Sequence, residues 1–224
     1  MTVLRGASRR SGRGERRLPM ALAVISVGIL QEFLPEDFRA APQLFYLFPI
    51  ILLVFLAVLI IGDPGRIDRD RRWLRVTSGL MIAVMTFATA AATARLIVGI
   101  LTNAQFASAT DLLIIGGIIW ITNVIVFSLW YWDLDAGGPA ARAVGRRDVR
   151  PSFYFPESSL PDLVGPDWYP HFIDYLALSF NTSLSFGPTD VSAIRRWAKF
   201  LMIMQSLISL ALAALVLARA INIL

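Results

Sequence analysis

Apolar positions in this chain come in long runs rather than in the alternation of a half-buried strand or the spaced stripe of a surface helix. Five runs approach the roughly 20 residues that cross about 30 Å of hydrocarbon at 1.5 Å per residue. They occupy residues 18–34, 44–61, 79–101, 112–132 and 197–224. The second holds no charge and carries Pro49 as a kink position, and the fourth ends in Trp130, Tyr131 and Trp132, an aromatic anchor of the headgroup type. The third contains Arg95, the first has Gln31 and Glu32 near its end, and the last has Gln205 inside and Arg219 near its end. The pattern predicts an all-α membrane protein with a four-helix region over 18–132 and a further span at the end.

Composition sharpens this. The 224 residues are 56% hydrophobic and 17% charged, with a mean hydropathy of +0.63, against roughly 25% charged in ordinary soluble domains. There is no cysteine and one histidine, His171, which excludes thiolate chemistry and His-cluster metal sites. Neither a metal nor a cofactor is expected. P-loop, G-x-S-x-G, H-E-x-x-H and intramembrane aspartyl-protease patterns are absent, so no enzyme is expected.

The charge is unevenly placed. Of the 21 basic residues, 20 are Arg, a bias that suggests a GC-rich bacterial source, and 18 of the 21 lie in three segments: the arm 1–17, the loop between the second and third runs, and the stretch from Asp133 to Lys199. The loop 35–43 has Arg39 alone and the loop 102–111 has none. Basic residues collect on the cytoplasmic side. The expected topology is therefore an inner-membrane protein with a cytoplasmic N-terminus and an external C-terminus. No A-x-A site follows the first run, so it reads as an uncleaved span. The Arg clusters serve topology and anionic-lipid contact, and no nucleic-acid partner is expected.

One segment breaks the alternation. Residues 133–170 are rich in Gly and Pro and read as a cytoplasmic linker, with Phe153, Tyr154, Phe155, Trp168 and Tyr169 holding it along the membrane surface. Then HFIDYLALSFNTSLSFGPTD, residues 171–190, begins apolar, turns polar at Asn181, Thr182 and Ser183, and stops at Gly187 and Pro188. A helix over 172–183 is only about 18 Å long and cannot cross. A full span here would also place Arg195, Arg196 and Lys199 outside. The segment is therefore expected to be a short re-entrant or interfacial half-helix before the last span. Non-helical backbone at membrane depth needs protein or a water-filled cavity around it.

The run FIDYLALSFNTSLSFGPTD, followed by a basic turn and a long apolar helix, resembles the pore module of the potassium channel superfamily. That resemblance places Thr182, Ser183, Leu184, Ser185, Phe186 and Gly187 in the filter region. It implies monovalent cations as permeant species and a homo-oligomer around the pore. Ser185 stands where the filter has its first glycine, and entry from the cytoplasmic side is opposite to that of those channels. The whole chain is also similar to an uncharacterised family of bacterial multi-pass membrane proteins that share SLWYWDLDAGGP, residues 128–139, and the F-x-P-T-D turn.

Two functions are expected to compete. One is ion permeation or transport through a polar turn made of Asn181, Thr182, Ser183, Leu184, Ser185, Phe186, Gly187 and Asp190. The other is a structural or regulatory membrane protein that uses the same turn for packing or docking. Asp174 reads either as a cation attractor or as a first-turn acid, and Asp190 either as a mouth residue or as the N-cap of the last helix. Gln205 and Asn123 line a path or bond between helices. Glu32 and Arg95, at similar depth near the outer end, read either as an intramembrane ion pair or as a case of Arg95 snorkelling to the headgroups.

Overall fold

The structure is a computed structural model that describes residues 14–39, 43, 46–102, 108–146, 148–184 and 190–223. Eight helices account for most of them: α1 (Leu18–Glu32), α2 (Leu47–Gly62), α3 (Arg72–Leu101), α4 (Ala109–Leu134), α5 (Pro139–Ala143), α6 (Pro161–Val164), α7 (Phe172–Leu184) and α8 (Arg196–Ile223). Three of them, α3, α4 and α8, are long and apolar enough to cross a membrane, while α1 and α2 are apolar but only 15 and 16 residues long. The chain is therefore mostly helical with three long candidate spans, which fits a membrane protein.

Local sequence explains the helix starts. Pro19 and Pro49 fall in the first turns of α1 and α2, where a missing N–H leaves no bond unmade, so Pro49 opens a helix instead of kinking one. Ser108 caps α4 by accepting from the Asp111 N–H at 3.0 Å. The outward faces are apolar: Phe200, Ile203, Leu207 and Leu217 on α8, and Ile50, Leu53, Val54 and Ile61 on α2, are all exposed. Helices that are apolar on both the inward and the outward side belong in lipid.

The helices run up and down. Arg17 before α1 meets Asp63 after α2, Ser78 near the start of α3 meets Asp133 near the end of α4, and Trp130 of α4 donates to Thr86 of α3 at 2.8 Å. One end of the bundle thus gathers the arginines. At that end, strand β1 (Glu15–Arg16) pairs antiparallel with β2 (Arg66–Ile67), and β3 (Phe153–Tyr154) pairs antiparallel with β4 (Ser192–Ala193). The core has two parts. An aliphatic cluster of Leu34, Leu96, Leu112, Ile115, Leu212 and Val216 fills the far end, and a larger cluster with Tyr131, Trp132, Phe153, Phe172 and Tyr175 fills the Arg-rich end.

Helix α7 has 13 residues, about 20 Å, and packs one face against α4 and α8, with Ile173 and Phe180 exposed on the other. Its first residue donates to Glu15 at the Arg-rich end, and its Ser179 hydroxyl reaches the Val124 carbonyl, well inside α4. By Ser192–Ala193 the chain is back at the Arg-rich end against β3. The half-helix enters the bundle and the chain returns on the same side. Within residues 133–170, expected as a linker along the membrane surface, the stretch 158–164 is exposed while Phe153 and Phe155 lie in the core. Their rings stack edge-on against Tyr131 and Tyr175 at 5.2 Å each, a better home for apolar area than an interface.

Candidate functional site

Of the predicted polar turn, Asn181, Thr182, Ser183 and Leu184 are helical and belong to α7, while Ser185, Phe186 and Gly187 lie outside the described residues. Asp190 is exposed, and α8 starts at Arg196, so Asp190 is not its N-cap. Asp174 takes the first-turn role: its carboxylate accepts from the His171 N–H at 2.7 Å. Buried polar atoms of α7 find partners inside the subunit. Gln205 Nε2 reaches the Ser179 carbonyl at 2.9 Å, the Ser179 hydroxyl at 2.7 Å and the Ser183 hydroxyl at 2.6 Å, and Gln205 Oε1 accepts from Tyr131 at 2.6 Å. Ser206 donates to the Thr182 carbonyl at 3.1 Å, and Asn123 donates to Ser209 at 3.1 Å. Gln205 and Asn123 thus join helices. Each such bond satisfies a polar group that has no water to turn to.

The candidate Glu32–Arg95 ion pair is not formed. Arg95 donates to the main-chain carbonyls of Asp37, at 3.4 Å, and Arg39, while Arg39 folds back onto the carbonyls of Leu34 and Glu32 at 2.7 and 2.9 Å. The short helical turn Glu36–Phe38 brings those carbonyls over Arg95. Similar depth along the bundle does not set the direction in which each side chain points around its helix.

The densest polar chemistry lies at the Arg-rich end, along residues 128–139. Tyr131 and Trp132 turn inward while Trp130 stays half-buried, and Trp132 donates to Glu15 at 2.8 Å. The second Glu15 oxygen accepts the Phe172 N–H at 2.5 Å, so this one carboxylate ties β1 to α4 and α7. Asp133 accepts from Ser78 at 2.7 Å. Asp135 accepts the Ser152 N–H at 2.5 Å and the Tyr175 hydroxyl at 2.6 Å. Arg17 binds Asp63 at 3.1 Å, with side-chain exposures of 8% and 2%. Burial pulls the Arg17 guanidinium below its usual value, and the Asp63 carboxylate opposes that pull.

After α4 the backbone turns through the left-handed region at Ala136, Gly137 and Gly138, with φ of 46°, 81° and 94°. Glycine suits the second and third of these, while Ala136 carries strain of about 1–2 kcal/mol. A side chain at Gly138 would also meet the Asp133 carbonyl at 3.1 Å. The turn delivers Arg142 of α5 into the hub. Its Nη1 donates to the carbonyls of Trp132 and Asp135, both at 2.7 Å, and its guanidinium lies 4.9 Å from the centre of the Tyr175 ring.

Two cavities open at this end. One, of about 590 Å³, lies between α3 and α4 and is lined by Arg72, Arg75, Arg146, Trp130 and Val76 among others. The other, of about 700 Å³, is lined by Arg142, Arg146, Asp135, Phe153, Phe155, Trp168 and Tyr169 among others. Arg146 is engaged by Asp70 at 2.8 Å and by Asp148, and these carboxylates hold its guanidinium above its usual value while Asp148 is held below the carboxylate range. Among the described residues, no three His, Cys, Asp or Glu side chains gather as a metal site. No family model, curated protein or solved structure matches the chain.

Sequence reasoning passed over Glu15, Asp63, Asp133, Asp135 and Arg142 because each lies among surface-like charges or in a Gly/Pro-rich stretch. One signal was available: an acid, Asp133, directly after the aromatic triplet Trp130–Trp132, with a second acid, Asp135, two residues on.

Proposed function

We propose that this is a bacterial inner-membrane protein of five spans, α1, α2, α3, α4 and α8, with α7 as a half-helix that enters and returns on the cytoplasmic side. The N-terminus is cytoplasmic and the C-terminus external. Helices α1 and α2, about 23 and 24 Å long, cross with the help of their flanking residues and local bilayer thinning. The Arg72, Arg75 and Arg146 groove then lies at headgroup level, where it meets anionic lipid. The protein works as a structural or regulatory membrane protein whose cytoplasmic end is the working face. It is not an enzyme and moves no ion along α7.

The observation that carries this reading is the use of Gln205. The positions that the resemblance gives to the start of a filter are used inside the subunit instead: the Thr182 carbonyl accepts from Ser206 and the Ser183 hydroxyl accepts from Gln205, both on α8. The test is monovalent-cation flux into liposomes that hold the purified chain, wild type beside Ser185→Trp. The expected result is flux no faster than in empty liposomes for both. Wild-type flux that Ser185→Trp abolishes would overturn the reading in favour of a channel with the turn on an oligomer axis.

A further inference from the structure

Arg142 is 6% exposed, yet its Nε and Nη2 have no hydrogen-bond partner. Three of its five N–H donors are therefore unmet. No ion pair compensates: the nearby acids Asp135 and Asp133 are turned to Ser152, Tyr175 and Ser78, and Arg142 itself bonds only to carbonyls. Leaving a buried charged group partly unbonded costs more than leaving a neutral one so. A native fold retains such a group where it has a further task.

The unmet edge has the geometry for one. With Nη1 fixed by two carbonyls and the guanidinium over Tyr175, the side chain is held in one orientation. The Nε/Nη2 side is the edge of the guanidinium fork that takes two oxygens of a carboxylate or phosphate at once. Arg142 lines the cavity of about 700 Å³, whose other walls include Phe155, Trp168 and Tyr169. A cavity of this size, lined by aromatic and aliphatic side chains with a few fixed polar groups, suits a small organic molecule. The strained Ala136 lies on the same wall.

We propose that this cavity binds an organic anion, with its carboxylate or phosphate on the Nε/Nη2 edge of Arg142 and its apolar body against Phe155 and Trp168. The same headgroup chemistry is offered by a free metabolite and by a lipid phosphate, and the experiment separates the two. The inference rests on the cytoplasmic end being the working face. Cation flux in the liposome assay overturns that reading, whereas failure to bind anions without flux overturns only the ligand.

The test titrates the full chain in detergent with phenyl phosphate, benzoate and the neutral benzyl alcohol, reading tryptophan fluorescence and the thermal midpoint. A parallel arm adds dihexanoyl phosphatidic acid or dihexanoyl phosphatidylcholine. Saturable binding of an anion at least about tenfold tighter than that of its neutral counterpart is expected, equivalent to one charge-assisted bond. Arg142→Lys keeps the charge, loses the fork and weakens binding at least about tenfold. Val144→Trp, at an exposed lining position, blocks binding while leaving the thermal midpoint of the unliganded protein in place, which keeps the test independent of any folding defect in Arg142→Lys. A response to phosphatidic acid alone, lost in both variants, upholds the site and assigns it to lipid. No saturable response, a response equal for the neutral probes, or one unchanged in both variants overturns the proposal.

Discussion

At the far end of the bundle α3, α4 and α8 meet through Ala92, Leu96, Leu112, Ile115, Leu212 and Val216, whereas at the opposite end α3 and α4, with the segments around them, enclose Arg17, Asp63, Asp133, Asp135 and Arg142. The far end is held by shape: Gly116 lets α8 approach so closely that a side chain there would meet the Val216 methyls at 2.9 Å. The Arg-rich end is held by paired charges and by hydrogen bonds between distant segments, such as Glu15 to Phe172 across 157 residues. A span needs only the first kind of packing. Buried polar groups demand precise partners, and the Arg-rich end meets that demand across distant segments of the chain.

The largest break in this comparison is expected from Asp63→Ala. It strands Arg17 at 8% side-chain exposure without its carboxylate, and a buried pair broken on one side costs about 3–5 kcal/mol. Unfolding of the purified chain by denaturing detergent measures it. A loss below about 1 kcal/mol would show that water reaches Arg17 and that the Arg-rich end is not a true interior.

A smaller effect tests the far end. Gly116→Ala forces its new methyl group onto Val216 and costs about 1–3 kcal/mol, the range for overpacking, and adding Val216→Ala restores most of it. Absence of rescue would mean that the two helices do not meet as described. The smallest effect concerns the exposed Arg146–Asp148 pair. Because Asp148 is held below the usual carboxylate range, the pair contributes above the unfolded carboxyl value of about 4 and loses its contribution as pH falls through the lower folded value. The difference in thermal midpoint between wild type and Asp148→Asn should therefore be small at neutral pH and vanish in acid. A difference that grows as the pH falls would contradict it.

Much of the fold was legible in the sequence because hydrocarbon thickness is a length filter. The half-helix showed itself as a run too short to cross, polar from Asn181, with arginines on both sides, and the described α7 covers the expected residues 172–183. The polar hub was not legible. An aromatic belt and a buried aromatic cluster have the same composition, so Tyr131 and Trp132 read as the former. Arg17 and Arg142 looked like topology charges, since what makes them structural is a partner 46 residues away in one case and a main-chain turn in the other. Glu32 and Arg95 shared a depth, and the carbonyls that took Arg95 belong to a turn without any periodic signal.

The central claim is that the chain enters the bundle at Phe172, leaves it by Ser192 on the same side, and keeps its working face there. Single cysteines in this cysteine-free chain test it directly, at Val144 and Ile194, which lie before and after α7 and are 47% and 55% exposed, and at Thr110 on the far end. With a membrane-impermeant maleimide, Val144→Cys and Ile194→Cys should both be labelled only from the cytoplasmic side, and Thr110→Cys only from outside. Labelling of Val144→Cys and Ile194→Cys from opposite sides would make α7 a full crossing and contradict the account.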